Sequence, residues 1–431
     1  MKKNGFTLVE LLSIVVILGI IVVVALPQIS GSIGSKKEKQ YNKIVKIVEN
    51  AGKVYLTENV TRDSVSIDIL IKNDYLTSGL KNPINNTPLT GCVKKITSDG
   101  VTKYKYEVDN CPNYLTTYIM DLYDNEETRT SNGLKKDNTP DQNIRYYGSN
   151  PNNYVLFNNE LWRIIGVFGS NVKLIRSEKL GNLSWDSSES SINGGFGVNE
   201  WSQSDLKNYL NKMYYGGTDV TCYNGEQNQT TTCPTGTIDE TSKSLIDNHT
   251  WNTGAIDVTD TTIVNEETLA LNTVPFYNAE RGTKGKICNG GDYCNDTVTR
   301  KTEWTGYIGL PYATDWAYAS GESACETNMI AGINATALSP DKAFANMTCK
   351  KNNWMHHGTT MDIEDATWFM SPVAFPDFAD VVWYVYGVGF TDGTHAANPL
   401  SAFPTIYLKS NILIESGTGT SSNPYMLKLN S

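Results

Sequence analysis

Residues 6–26, FTLVELLSIVVILGIIVVVAL, constrain this chain more than any other stretch. At about 1.5 Å per residue, a helix over them spans roughly the 30 Å hydrocarbon core of a bilayer, so one membrane-crossing helix is expected. A secretory signal has a shorter apolar stretch followed by small residues at a cleavage site. Here the run is longer, and Val23-Val24-Ala25 is a poor approximation of such a site. A plain anchor avoids a carboxylate in its apolar run, because a charge at the helix centre costs about 2.5–3.5 kcal/mol. Glu10 is there nonetheless, near the end of the span where the cost is smaller.

Lys2-Lys3-Asn4-Gly5 followed by Phe6-Thr7-Leu8-Val9-Glu10-Leu11 resembles the leader and mature start of type IV pilins and pseudopilins. In that family a membrane peptidase cuts after the glycine and methylates the new amino terminus. The resemblance therefore implies cleavage between Gly5 and Phe6, with Phe6 as the N-methylated first residue. The chemistry is coherent: cleavage removes two lysines and creates an α-amine with a reference pKa near 8, mostly cationic at neutral pH. Glu10, one turn below, is the only ionisable side chain in the run. Pairing with the amine of its own or a neighbouring subunit would set registry, since a mismatch buries a lone charge. Pro27 closes the span and removes a helix hydrogen bond, kinking the helix where many pilins carry a proline. Lys36, Lys37 and Lys39 follow the span and compete with Lys2 and Lys3 for the cytoplasmic side; the leader motif decides the topology.

Charge separates the chain into two parts. Residues 1–113 carry 15 Lys plus Arg against 10 Asp plus Glu, whereas the rest carries 21 against 36 and holds all nine tryptophans. With 19% charged and 39% hydrophobic residues, neither a disordered chain nor a polytopic membrane protein fits. Beyond Pro27, Tyr41, Ile44, Val48, Ala51 and Tyr55 recur at helical spacing, predicting an amphipathic continuation whose apolar stripe lies on its own small head. Lys36, Lys37, Lys39, Lys43 and Lys46 form a solvated or subunit-contacting face. Residues 65–76 read as a short helix, and 92–96 and 104–108 as two strands around Ser98-Asp99-Gly100.

The eight cysteines contain no CxxC pair, so zinc has little support, and an even count after an export signal favours disulfides. Connectivity is not fixed by sequence. The nearest-neighbour choice pairs Cys92 with Cys111, Cys222 with Cys233, Cys288 with Cys294, and Cys325 with Cys349; pilin heads commonly hold a bridge like the first.

Residues 114–150 are polar and turn-rich and read as a linker with a short helix near 118–123. After them, 154–157, 161–168 and 172–176 predict a three-stranded meander, and Ser204 a helix cap leading to Tyr215. Structure returns at 307–319, 381–390 and 405–414, giving an α+β module of irregular architecture. NNELWRIIGVF, WSQSDLKNYLN, IGLPYATDWAYA and FPTIYLKSNILI resemble a module carried by pilin-like and other surface proteins of Gram-positive-type bacteria. Its order of elements is similar to C-type-lectin-like folds, the formylglycine-generating group included.

Within the module, His356-His357 with Asp362, Glu364 and Asp365 is the one cluster suggesting a metal; adjacent histidines diverge on any regular element, so solvated loop residues are expected instead. Asp377, Asp380 and Asp392 offer oxygens to calcium but read as ordinary acidic loop residues. No GxSxG elbow, phosphate loop or HExxH motif occurs, and Cys325 and Cys349 fit no formylglycine-generating motif, so an enzyme is not expected. The tryptophans supply faces suited to sugars or protein hot spots, with core packing the expectation for each. Acidity opposes nucleic-acid binding by the module.

The expected organisation is leader 1–5, transmembrane and amphipathic helix 6–57, pilin-like head 58–113, linker 114–150 and exposed module 151–431. The expected function is a minor, tip-located pilin-like subunit, stored in the cell membrane and then displayed on a surface filament. It would present a binding module for attachment, without cofactor. Its partners would be other pilins, a prepilin peptidase and a surface glycan or protein. The alternatives are a pseudopilin of a secretion or DNA-uptake machine and a surface enzyme acting on glycans.

Overall fold

The computed structural model describes residues 33–60, 62–109, 111–188, 196–257, 260–265, 270–282, 301–330, 347–360, 362–374, 379–389 and 391–430. The chain divides into two units, the first ending at Asp121 and the second starting at Leu122. Among the described residues no helix is long and apolar enough to cross a membrane, and residues 6–26 lie outside them.

Helix α1, Ile33–Glu58, organises the first unit. Its stripe Ile44, Val48, Ala51, Tyr55 and Leu56 is buried, while Lys36, Lys37, Lys39, Lys43 and Lys46 are exposed, as helical periodicity requires. The stripe packs on an antiparallel sheet of β1 (Ser64–Ser66), β2 (Cys92–Ser98) and β3 (Val101–Glu107), in that order. Contact is close because α1 carries Gly52 where a Cβ would lie 2.4 Å from Val93. Asp99 and Gly100, both at positive φ, make the two-residue turn between β2 and β3. The helix expected over 65–76 is split, with its first residues pairing as β1 and α2 occupying Ile67–Lys72. Ser66 Oγ caps α2 by accepting from Ile69 N at 3.3 Å.

The expected linker 114–150 is folded structure. It holds helices α3 (Leu115–Asp124) and α4 (Glu126–Asn132) and strands β4 (Leu134–Lys136) and β5 (Ile144–Tyr146). Asn125 Oδ1 caps α4, Gly133 ends it in the left-handed region, and the backbone of β5 pairs with the strand Glu160–Phe168.

A nine-stranded sheet forms the centre of the second unit. The meander of β6 (Tyr154–Phe157), β7 (Glu160–Phe168) and β8 (Asn171–Arg176) falls where sequence predicts it, with Asn158 and Asn159 both at positive φ in the first turn. Beyond β8 come Thr405–Tyr407 and then Ile308–Gly309; on the other side, Tyr425–Leu429 runs parallel to β6 and is followed by Ile412–Ser416. At Gly166 a Cβ would lie 2.2 Å from the Ile144 carbonyl oxygen, so glycine there lets β5 approach β7. A six-stranded sheet is built on Thr367–Ala374, flanked by Val381–Val385 and Pro399–Ser401. The result is α+β with many short elements. Ser204 caps a helix as expected, but α-helix holds only for Asp205–Asn208 and continues as a π-helical stretch, Tyr209–Tyr214.

Candidate functional site

Gly5, Phe6, Glu10 and Pro27 lie outside the described residues. The described part of the front unit presents an exposed lysine face on α1 and a hairpin whose Ile96 and Val101 are 41% and 56% exposed. Cys92 and Cys111 are bonded, tying β2 to the end of the head.

In the second unit Cys222 is bonded to Cys233 and Cys325 to Cys349; Cys288 and Cys294 lie outside the described residues. The histidines are not solvated loop residues. His356 Nε2 meets the Gly387 carbonyl oxygen at 2.8 Å, and His357 stacks on Phe403 at 4.3 Å between centroids. Burial lowers the pKa of both, that of His357 to about 4. Asp365 caps its own loop, accepting from the Thr359 and Thr360 amides and the Thr360 hydroxyl. Among the described residues no group of His, Cys, Asp and Glu is arranged to hold a metal ion.

Asp377 lies outside the described residues. Asp380 is buried and faces His395 Nδ1 at 2.5 Å; His395 stacks on Phe196 and its pKa is raised by that hydrogen bond. Burial pushes the Asp392 carboxyl up to about 7. Eight tryptophans are core, and only Trp304 is partly exposed, edge-on to Trp201 and folded over Gly306. The surface platform of indoles that would suit a sugar is therefore not assembled from them. A stacked pair, Tyr215 and Tyr307 at 4.1 Å, is the half-exposed aromatic surface nearest to such a platform.

The densest chemistry was not anticipated from sequence. Arg145 on β5 donates from Nε to Asp137 at 2.7 Å and from an Nη to Asp315 Oδ1 at 2.6 Å, while Lys173 on β8 reaches Asp315 Oδ2 at 2.5 Å. All four side chains are buried. Asp315 is placed by its helix Ala313–Ala319, whose first turn it caps by accepting from Tyr312 N at 3.0 Å. Rings of Phe168, Trp251, Tyr312 and Tyr407 surround the Lys173 ammonium at 5.5, 5.4, 4.2 and 5.3 Å. Alongside, Glu280 pairs with Arg281 at 3.3 Å and accepts from Thr314 and Ser371. Burial drives the Lys173 pKa down against the pull of Asp315. For Asp315 burial acts upward, but Lys173 and Arg145 together hold its carboxylate below the usual range. One signal was available in sequence: Lys173 interrupts the apolar strand NVKLIR at a position that must be covered.

Compared with known proteins, residues 1–26 match the prokaryotic N-terminal methylation motif. No curated protein and no solved structure matches the chain, so the likeness of residues 151–431 to a surface-protein module and to lectin-like folds has no support from that side. The motif supports a type IV pilin-like or pseudopilin subunit. It implies a membrane-anchored precursor, processing by a prepilin peptidase and assembly with other pilins.

Proposed function

We propose that the chain is a minor pilin-like subunit at a filament tip, whose second unit binds a surface glycan or protein without turning it over. The observation that carries this is the methylation motif at residues 1–26 on a chain whose larger unit, Leu122–Ser431, far exceeds the unit bearing α1. One such load on every subunit of a long filament would crowd its neighbours, which favours a minor place. Cleavage falls after Gly5, Phe6 carries the methyl group and Glu10 sets registry.

Gold labelling against the second unit tests the position: label confined to filament ends is expected, whereas label along shafts, or no surface filament, defeats it and favours a machine pseudopilin. Residues 122–431 on glycan and matrix arrays test the binding, with retention of a ligand and no product expected.

A further inference from the structure

We propose that Lys173 and Asp315 become joined by an intramolecular amide between the lysine Nζ and the aspartate side-chain carboxyl. The two groups meet the requirements of such a reaction within the folded chain. Nζ and Oδ2 are 2.5 Å apart, and both side chains are 0% exposed, so the reacting atoms are held in contact away from water. The four rings around Nζ supply an apolar wall. Arg145 donates to the other oxygen, Oδ1, at 2.6 Å and is itself fixed by Asp137 at 2.7 Å.

The steps balance without an outside reagent. A proton passes from the ammonium to Oδ2, giving an amine and a carboxylic acid; burial loosens the proton on Nζ, and the transfer works against the hold that Arg145 and Lys173 keep on the carboxylate. The Nζ lone pair then attacks Cγ, and the negative charge that develops on Oδ1 faces the Arg145 guanidinium, a donor already in place. A second proton from Nζ reaches Oδ2, the Cγ–Oδ2 bond breaks and one water leaves. The C–N bond that forms carries an amide N–H, and Oδ1 remains as the amide carbonyl oxygen on Arg145. Nothing is oxidised or reduced.

Charge supports the product. The cluster holds three cations, Lys173, Arg145 and Arg281, and three carboxyl groups, Asp315, Asp137 and Glu280. Removing Lys173 and Asp315 as an amide leaves Arg145 with Asp137 and Arg281 with Glu280, two matched pairs, and ends the desolvation cost of two buried charges. The Tyr312 amide gives up its acceptor Oδ2 in exchange. The link would join β8 to the helix Ala313–Ala319 across 142 residues, a much longer loop than the three observed disulfides close.

The test is mass spectrometry of the full-length chain, recovered folded from membranes, then reduced and denatured. The expected result is a chain lighter than its processed sequence by one water, with a branched peptide containing both Lys173 and Asp315 after digestion. The Lys173→Met and Asp315→Ala variants should have full mass and no branched peptide. Linear peptides for both residues in the parent chain would overturn the proposal, as would a water loss mapped elsewhere. That result needs no variant to fold.

Discussion

Among the described residues, Val60, Ile84, Ile96, Val101 and Val108 are large apolar side chains left exposed in the first unit, against Met426 alone in the second. The first unit packs a mostly aliphatic core on one helix. The second buries eight tryptophans and a chain of ion pairs. The contrast teaches which half is finished on its own: one encloses its hydrophobic and charged chemistry, and the other keeps apolar side chains and a lysine face at its surface, as a subunit that packs with copies must. Because all nine tryptophans belong to the second unit, indole fluorescence follows that unit alone in the intact chain.

The largest effect expected separates assembly from folding. Glu10→Val should leave membrane insertion and the fluorescence-monitored transition unchanged while abolishing filament incorporation, scored by shearing and immunoblotting; normal incorporation would defeat the registry role. Next, Arg145→Leu leaves Asp137 buried without its cation and should cost the second unit about 3–5 kcal/mol in denaturant titrations followed by fluorescence. Protection of α1 amides from hydrogen exchange should not change. Gly52→Leu is the converse: a side chain driven into Val93 should destabilise the first unit by about 1–3 kcal/mol or more, seen as faster exchange in α1 and β2, with fluorescence unaffected.

The histidine-linked pH effects, reaching their full size only in acid or alkali, also belong to one unit, because all four histidines lie beyond Asp121. His357 titrates near 4 when folded and near 6.5 when unfolded. The unfolded chain therefore takes up the proton first, and stability falls as pH drops from about 6.5 to 4, with a ceiling of roughly 3.4 kcal/mol for the full shift. His357→Gln should flatten that slope. His395 has the opposite sign: raised by Asp380, it stabilises below the ordinary histidine range, and this is lost as pH rises through its folded pKa. His395→Gln should remove the loss above about 6.5, a change kept small by the exposure of the ring. A stability profile that ignores both substitutions would break the assignment of pH sensitivity to these side chains.

Periodicity made parts of the fold readable. Tyr41, Ile44, Val48, Ala51 and Tyr55 are a helix stripe by spacing alone, and the Asn158-Asn159 turn announces the β6–β7 hairpin. Residues 114–150 look like a linker in sequence because their polarity serves long-range contacts: Arg145 meets Asp315 across 170 positions, which no local pattern contains. The same limit hid the site. Lys173, Asp315 and Glu280 are ordinary residues until folding makes them neighbours, whereas His356 and His357 drew notice by being adjacent and turned out to be packed against Gly387 and Phe403. The tryptophans were legible as core but not as a platform.

The place of Tyr425–Leu429, between β6 and Ile412–Ser416, sets an order of events. Tyr425–Leu429 follows every other strand of the main sheet in the chain, yet it is an inner strand, so β6 lacks its neighbour until all of those strands have been made. Losing Tyr425–Leu429 alone would open a seam between β6 and Ile412–Ser416 inside the sheet, and that unpaired edge would be a point of attack for proteases.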